Sequence, residues 1–196
     1  MLPPGPHSYI VLWTQDYCRG LRRAGDLGSP LEVVYGGAHS SQPLISRYGV
    51  GRGDTLYAVS IAKGQLLVVG GMTVDAIVPW RDYIARRLGE DGVSAANQWH
   101  MVEELHERHP EWGHRLPWGC PIEAVTGGDG AALALDRVVP ADVVGNLFFV
   151  AKNGTERQVR QVHDGRITPA LGLQGHVLRL RADGAQAFRA LTWPRG

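Results

Sequence analysis

Residues 46–78 read SRYGVGRGDTLYAVSIAKGQLLVVGGMTVDAIV, a stretch that predicts a β-hairpin. Thr55–Ala62 alternates between side-chain types as a half-buried strand does, and residues 65–78 follow as a longer strand. Lys63-Gly64 lies between them and supplies a tight reversal. A meander of this length is typical of a sheet that curves, so we predict a β-rich core built as a small curved barrel.

Glycines indicate where these strands bend and where they begin. Gly70-Gly71, in the middle of the second strand, predicts a β-bulge at which the missing side chains let the strand bend or another backbone approach. Residues 51–54 (GRGD) predict the turn before the first strand. The glycine-rich residues 49–53 precede a strand rather than a helix, so no helix N-terminus would face a phosphate there, and we interpret them as a tight turn.

The remaining pattern predicts a single α+β domain over residues 1–196, with helices packed around a small curved mixed sheet. Further strands are predicted over residues 8–14, 31–35, 122–125, 133–135 and 175–181, with an apolar strand end at 148–150. Helices are predicted over residues 15–24, 79–88, 94–109, 140–147 and 183–191. Turns are predicted at Asp129-Gly130, Asn153-Gly154 and Asp164-Gly165. Residues 90–145 would form an α-rich insertion or extension on this core.

The helix predicted over residues 94–109 carries an apolar stripe and several histidines. Ser94 is its expected N-cap. The stripe that would pack on the sheet consists of Ala95, Trp99, Val102 and Leu105. His106 and His109 are three residues apart, which differs from the H-E-x-x-H pattern that sets two zinc ligands one turn apart. We therefore predict no metal site and no cofactor, and we interpret the helix as having a polar, partly buried face.

The composition is that of an ordinary globular domain, with 44% hydrophobic and 20% charged residues in 196. The N-terminus lacks a basic start followed by an apolar run, and no segment reaches the roughly 20 apolar residues of a membrane-spanning helix. Two cysteines are too few for a disulfide framework or a four-ligand zinc site. We expect a soluble cytoplasmic protein without a membrane partner, and the sequence leaves the oligomeric state open.

Charge is distributed unevenly along the chain although the formal net charge is +1. Residues 1–89 carry nine basic and six acidic side chains, residues 90–145 carry three basic and ten acidic, and residues 146–196 carry eight basic and three acidic. The two positive ends permit a basic face for an anionic partner, although a solvated surface explains the same pattern.

Motifs for nucleophilic catalysis are absent from the sequence. It contains no G-x-S-x-G elbow, and Cys18 and Cys120 lie in no catalytic context, so buried and inert cysteines are expected. Arginines outnumber lysines eighteen to two. Because lysine is the residue that readily lowers its pKa for catalysis, reactions that need it have few candidates here.

Arginines accompanied by aromatic residues indicate nucleic-acid binding. Arg19, Arg22 and Arg23 would line one face of the first helix, at positions i, i+3 and i+4. The aromatic residues and the further arginines of this cluster are Trp13, Tyr17, Arg47, Tyr48 and Arg52. Such a combination provides phosphate contacts and base stacking, and the alternative is a core tryptophan beside solvated arginines.

The hairpin resembles the central strands of PUA-like barrels, the superfamily that includes the EVE, YTH and ASCH domains. The matching features are the Gly53-Asp54 turn, the strand over residues 55–61, the reversal at Lys63-Gly64, and a strand over 69–78 that runs through a glycine into an apolar end. Residues 8–14 and the short helix after them occupy the place of that fold's first strand and helix.

The resemblance implies a concave pocket near the first strand, lined by aromatic and short polar side chains. In EVE- and YTH-like members such a pocket holds a modified base in DNA or RNA. The positions here that would contribute are Trp13, Thr14, Tyr17 and Arg47. The favoured prediction is therefore a nucleic-acid-binding module that reads a modified or flipped base in DNA or RNA.

The same superfamily implies an enzymatic alternative. ASCH-like members include enzymes that act on RNA or on modified nucleosides through a lysine with hydroxyl partners. A hydrolase or ribonuclease of this kind would use Lys63 or Lys152 together with Thr55 or Tyr57, although neither lysine lies in a recognisable ASCH motif.

A second alternative is a protein-interaction scaffold. In that case the acidic helix over residues 95–109 would dock a partner through exposed Glu103 and Glu107.

Overall fold

The computed structural model describes residues 6–89, 98–159, 162–167, 173 and 175–194. Its strands are β1 (Ser8–Leu12), β2 (Val33–Gly37), β3 (Thr55–Ala62), β4 (Gln65–Pro79), β5 (Pro121–Gly128), β6 (Phe148–Val150), β7 (Glu156–Gln158), β8 (Val162–His163), β9 (Arg166–Ile167) and β10 (Val177–Arg179). Its helices are α1 (Gln15–Arg23), α2 (Trp80–Leu88), α3 (Gln98–Arg108), α4 (Ala141–Gly145) and α5 (Ala182–Thr192). Two 3₁₀ segments cover Ser46–Tyr48 and Pro110–Arg115. The predicted α+β class is confirmed.

Six strands form one curled, mixed sheet in the order β10-β1-β3-β4-β5-β2. β1 and β3 run parallel, and the other neighbouring strands of this sheet run antiparallel. β4 is 15 residues long and pairs with β3 through its first part and with β5 through its last. The sheet therefore curls into a half-barrel, and the long strand β4 runs through both parts of it. β6–β7 and β8–β9 are separate two-stranded hairpins.

The turn predicted from Lys63-Gly64 joins β3 to β4. Both residues have positive φ, 51° at Lys63 and 79° at Gly64. Two consecutive left-handed residues match the right-handed twist of the strands on either side. The predicted hairpin is confirmed.

The predicted bulge lies beside Gly70. The register of β3 against β4 shifts at Ala58, which pairs with Gly70, and the extra residue on β4 is Val69. At the next glycine, Gly71, an added Cβ atom would lie 2.9 Å from a methyl carbon of Thr192. Gly70 therefore lies at the bulge, where the strand bends, and Gly71 allows α5 to approach the sheet closely.

Helix α1 begins where its sequence predicts. Thr14 has extended backbone angles, and its hydroxyl accepts a hydrogen bond from Tyr17 N at 3.2 Å. Asp16 lies in the first turn and two arginines in the last, an order that suits the helix dipole.

Apolar side chains from both faces of the sheet form three buried groups. Along β1, Tyr9 and Val11 belong to the group beneath α1, whereas Ile10 and Leu12 belong to the group beneath α4, α5 and the two short hairpins. The third group joins α2 and α3 to β2 and β5. β1 is consequently buried on both faces, as a parallel-paired strand inside a sheet requires.

Helix α3 packs on the sheet with part of the predicted stripe. Val102 and Leu105 are buried as predicted, but Trp99 is 52% exposed and Met101 is buried instead. The prediction for Trp99 was wrong because Met101, rather than Trp99, completes the buried face of α3 with Val102 and Leu105. Ser94 and Ala95 lie outside the described residues.

Residues 133–135 do not form a strand, and Asp129-Gly130 does not join two strands. Asp129 is left-handed, with φ 51°, but the chain after it forms no regular ladder. Leu133 N donates to Ser29 O, whereas Ala134 N donates to Val69 O. The backbone groups of this segment are thus shared between two neighbours, which satisfies them without continuous pairing.

One strand of residues 90–145, β5, belongs to the main sheet. β5 pairs with β2 on one side and with β4 on the other. Of the helices in the described ranges, none has the length and apolar character needed to span a bilayer.

Candidate functional site

A cavity of about 490 Å³ opens between β10 and the β6–β7 hairpin, beside the start of β1. We call it the main cavity. Its aromatic and apolar walls come from Tyr9, Tyr48, Phe149, Val150, Ala151, Val159, Val177 and Leu178. Its polar walls come from Lys152, Arg157, Gln158, His176 and Arg179. Cavities of this size hold small organic ligands.

A few specific contacts fasten the β6–β7 hairpin beside the edge strand β10. Gly154, in the predicted Asn153-Gly154 turn, has φ 83° and allows the chain to reverse. At the base of the hairpin, Arg181 N donates to Phe148 O at 3.0 Å. The Arg181 guanidinium also lies 4.2 Å from the centre of the Phe148 ring. These contacts fasten one end of the hairpin to β10 and leave the space beside His176 open.

Positive charge at the rim of the main cavity is not neutralised by the protein. Among the described residues, none of Lys152, Arg157 and Arg179 has an ion-pair partner, and no acidic side chain lines the cavity. Glu156, the nearest acid in the sequence, binds Arg181 at 3.0 Å instead. The rim therefore presents three permanent cations to an external anion.

The floor of the main cavity is apolar. Phe149, Val159 and Val177 are at least nine-tenths buried, and the ring of Tyr9 lies among them. Burial, together with the nearby Asp54 carboxylate, raises the pKa of Tyr9, so its hydroxyl stays protonated near neutral pH. An apolar floor beneath a cationic rim suits a ligand with a flat hydrophobic part and an anionic part.

A second cavity of about 300 Å³ lies on the other side of Tyr48, and we call it the side cavity. Residues of the loop after β2, the first 3₁₀ segment and β5 form its walls. Tyr48 lines both cavities, and its hydroxyl donates to Gly175 O at 3.0 Å. This hydrogen bond restrains the orientation of the Tyr48 side chain.

Of the residues predicted to bind nucleic acid, Arg47 and Tyr48 lie at these cavities. Both line the side cavity, and Arg47 O accepts a hydrogen bond from Lys152 Nζ at 2.6 Å. That bond connects the rim of the main cavity to the 3₁₀ segment Ser46–Tyr48. Arg52 is exposed in the turn before β3 and lines neither cavity.

The predicted residues at the other end of β1 serve the fold. Trp13 is 2% exposed and belongs to the core, and Thr14 caps α1. Tyr17 packs edge-to-face on Trp13 and stacks on Trp118, with ring centroids 4.9 and 4.8 Å away. Burial, with a smaller contribution from Asp26, raises the pKa of Tyr17 well above its usual value.

The three arginines of α1 are exposed, as predicted. Arg19 forms an ion pair with Asp16. Arg19 and Arg22 border a third cavity of about 260 Å³ between α1 and the β3–β4 hairpin, together with Cys18 and Ser60. Arg23 lines none of the three cavities. The third cavity, which Arg19 and Arg22 border, shares no lining residue with the main cavity.

Most residues of the main cavity were missed by reasoning from the sequence. Arg157, His176 and Arg179 lie in the C-terminal third, far in sequence from Tyr9. Two signals pointed toward them, namely the positive charge of residues 146–196 and the Asn153-Gly154 turn.

Lys63 and Tyr57, one lysine–hydroxyl pair of the enzymatic alternative, are separated by the fold. Lys63 is exposed at the tip of the β3–β4 turn, whereas Tyr57 lies six residues earlier on the same strand, about 20 Å away along an extended chain. Tyr57 is also 1% exposed and packs against Phe188. Lys152, by contrast, lies at the rim of the main cavity.

A buried His–Asp pair lies between α1 and the second 3₁₀ segment. His114 Nδ1 lies 2.7 Å from Asp26 Oδ2, and His114 Nε2 accepts a hydrogen bond from Glu32 N. Because both ring nitrogens are occupied by protein groups, the imidazole is not free to act as a base on a ligand. Elsewhere on the chain, His106 Nε2 contacts Pro117 O. The described residues contain no group of three His, Cys, Asp or Glu side chains that could hold a metal ion.

Comparison of the chain with protein-family models, with curated proteins and with solved structures gives no significant match.

Proposed function

We propose that this protein binds nucleic acid and that the main cavity receives one nucleotide of it. The observation that carries the proposal is the pairing of an apolar, aromatic floor with a rim of three unpaired cations. A nucleotide has the same two parts, a flat base and an anionic phosphate, in the same close arrangement.

The rim favours phosphate over other anions. Arg157 and Arg179 offer guanidinium groups, whose planar donors match phosphate oxygens in pairs, and Lys152 adds a point charge. Arg179 Nη2 lies 3.3 Å from Ala151 O, a long contact that leaves its other donors for a ligand. Phosphate contacts of this kind provide affinity that does not depend on base sequence.

The floor favours the base. Phe149 and the two tyrosines, Tyr9 and Tyr48, line the cavity and provide aromatic surface on which a base can stack. A base that enters such a cavity must leave its stack, so a single strand or an extruded nucleotide fits better than a paired one. The position of the cavity beside β1 supports the finer proposal of a PUA-like module that reads a modified or flipped base.

Fluorescence anisotropy with labelled strands of about twelve nucleotides tests the proposal. Single-stranded DNA and RNA, and duplexes with and without one modified base, are titrated at about 50 mM and about 200 mM salt. We expect binding at the lower salt that weakens strongly at the higher salt. We expect Arg157→Ala to weaken it about tenfold and to reduce the salt dependence by about one phosphate contact.

The matched control is Arg86→Ala, which removes an exposed arginine of α2 outside the cavities. It should leave the affinity unchanged. Failure of every strand to bind at about 50 mM salt would overturn the proposal, as would equal effects of the two substitutions. The same strands, recovered after incubation and resolved on a denaturing gel, distinguish binding from cleavage by a Lys152-dependent activity.

A further inference from the structure

We infer that the ligand is a single strand that places two successive nucleotides on opposite sides of Tyr48, one in the main cavity and the next in the side cavity. This inference rests on the proposed function and narrows its ligand class from nucleic acid to unpaired strands. The observation behind it is that Tyr48 lines both cavities, with its hydroxyl held by a hydrogen bond to Gly175 O.

The cavities are contiguous along two stretches of backbone. Arg47 and Tyr48 are neighbours in the 3₁₀ segment, and Gly175 and His176 are neighbours before β10. In each pair, the first residue lines the side cavity and the second lines the main cavity. The two cavities therefore adjoin at these two stretches of the chain.

The side cavity repeats the character of the main cavity on a smaller scale. Ile122, 46% exposed on β5, gives it an apolar wall together with Leu44, and Arg47 provides a guanidinium. An exposed isoleucine beside an arginine is a surface on which a base and its phosphate can lie together. No acidic residue is present among the described residues that line this cavity.

Charge continuity favours a polyanion that spans both cavities. Lys152 lines the main cavity, and its Nζ donates to the backbone O of Arg47, a residue that lines the side cavity. A dinucleotide carries its linking phosphate between its two bases. The linking phosphate would therefore meet Lys152 and Arg47 while the bases occupy the cavities on either side of Tyr48.

Duplex DNA does not fit this arrangement. Neighbouring bases in a helix are stacked on each other, whereas a tyrosine ring between two cavities requires them to be apart. We therefore expect an unmodified duplex to bind at least about tenfold more weakly than either of its strands at equal salt.

Thymidine 5′-monophosphate and the 5′-phosphorylated thymidine dinucleotide, with their uridine counterparts, are the probes that test the inference. Isothermal titration should show the dinucleotide binding at least about tenfold more tightly than the mononucleotide, because the second base and phosphate add contacts. Arg47→Ala should reduce dinucleotide affinity to nearly that of the mononucleotide, because it removes the guanidinium that lines the side cavity. Arg157→Ala should weaken both.

Arg52→Ala is the matched control, since Arg52 is an exposed arginine a few residues away that lines neither cavity. A measurement that needs no variant is the amide NMR spectrum of the wild-type protein. Resonances of residues 38–40, which line the side cavity, should shift with the dinucleotide and not with the mononucleotide.

The outcomes distinguish failure of the two-nucleotide inference from failure of the proposed function. If the mononucleotide and dinucleotide bind equally, if residues 38–40 do not respond, or if duplex and single strand bind equally, the two-nucleotide inference is wrong while nucleic-acid binding stands. If neither short probe nor any longer strand binds at about 50 mM salt, the proposed function itself is wrong.

Discussion

The imidazole of His114 donates a hydrogen bond from Nδ1 to Asp26 Oδ2, 2.7 Å away, in a site where both side chains are at most 2% exposed. The assignment of the proton follows from the other ring nitrogen, since Nε2 accepts from the backbone N–H of Glu32. The same carboxylate accepts from His114 N and from the Ser29 hydroxyl. Asp26 thereby ties the turn after α1 to the second 3₁₀ segment.

Replacement of Asp26 by asparagine should destabilise the fold. Two donors of His114 point at Oδ2, and the Arg115 guanidinium lies 3.5 Å from Oδ1. An asparagine that keeps its oxygen toward His114 turns its amide N–H toward the Arg115 cation and loses the charge of the carboxylate. We expect the free energy of unfolding in urea to fall by about 2–4 kcal/mol. Asp16→Asn is the control, because Asp16 is exposed on α1, and it should unfold at the wild-type urea concentration.

The cost of Asp26→Asn should depend on pH. Burial alone would raise the pKa of Asp26, but the hydrogen bonds from His114 and Ser29 outweigh it and hold the pKa below its ordinary value of 3.8. A carboxyl whose pKa is lower in the folded state adds stability above its unfolded pKa and loses it as the pH falls through the folded value. The difference between wild type and variant should be constant from about pH 7 to 5 and shrink below about pH 4. Urea unfolding across this range measures it, and a difference that grows toward pH 3 would contradict the assignment.

Glu123 should support both stability and binding. Its Oε1 accepts hydrogen bonds from Ile45 N and Ser46 N at the start of the 3₁₀ segment that presents Arg47 and Tyr48. Glu123→Ala removes the acceptor of both donors and leaves Ile45 N unpartnered in a buried place. We expect a loss of about 1–3 kcal/mol in unfolding free energy together with weaker nucleotide binding.

Glu123→Gln keeps an oxygen acceptor and should recover most of both properties. Glu103→Ala, on the exposed face of α3, is the control and should change neither. Normal nucleotide binding by a folded Glu123→Ala protein would show that the 3₁₀ segment does not need this carboxylate.

Two glycines should respond in opposite directions to alanine. At Gly71 an added Cβ atom meets Thr192 and Tyr57 at 2.9 Å, so Gly71→Ala pushes α5 off the sheet at a cost of about 1–3 kcal/mol. Gly20 lies inside α1 with no atom within 4 Å of the added Cβ. Gly20→Ala should therefore stabilise the protein by about 0.5–1 kcal/mol. Thermal unfolding of the two variants compares them directly.

Local chemistry explains which parts of the fold were predictable. The β3–β4 hairpin, the cap of α1 and the turns at Asn153-Gly154 and Asp164-Gly165 each depend on residues close together in sequence, and each is present. Residues 133–135 were mistaken for a strand because their hydrogen-bond partners, at Ser29 and Val69, are distant in sequence and alternate between two segments.

The main cavity was less predictable for a related reason. Its walls come from β1, the 3₁₀ segment Ser46–Tyr48, the β6–β7 hairpin and β10, which are brought together only by the topology of the sheet. The arginine and aromatic residues of α1 and the end of β1 formed a more conspicuous pattern in the sequence. Trp13, however, is buried in the core. The net positive charge of residues 146–196 indicated the site where local motifs did not. Such a net charge does not depend on which residues the fold brings together.

The turn at Lys63-Gly64 provides the last prediction. Lys63 has φ 51°, a conformation that asparagine tolerates better than lysine, so Lys63→Asn should stabilise the protein by a few tenths of a kcal/mol, about 0.5 at most. Gly64 has φ 79°, and its added Cβ atom would also lie 3.4 Å from Arg166 Cβ, so Gly64→Ala should cost about 1–2 kcal/mol. Urea unfolding measures both. Because the turn lines none of the three cavities, the Lys63→Asn protein should bind the same strands as wild type and leave them uncleaved. If the wild type cleaves RNA and the Lys63→Asn protein does not, a catalytic lysine at the turn would be favoured instead.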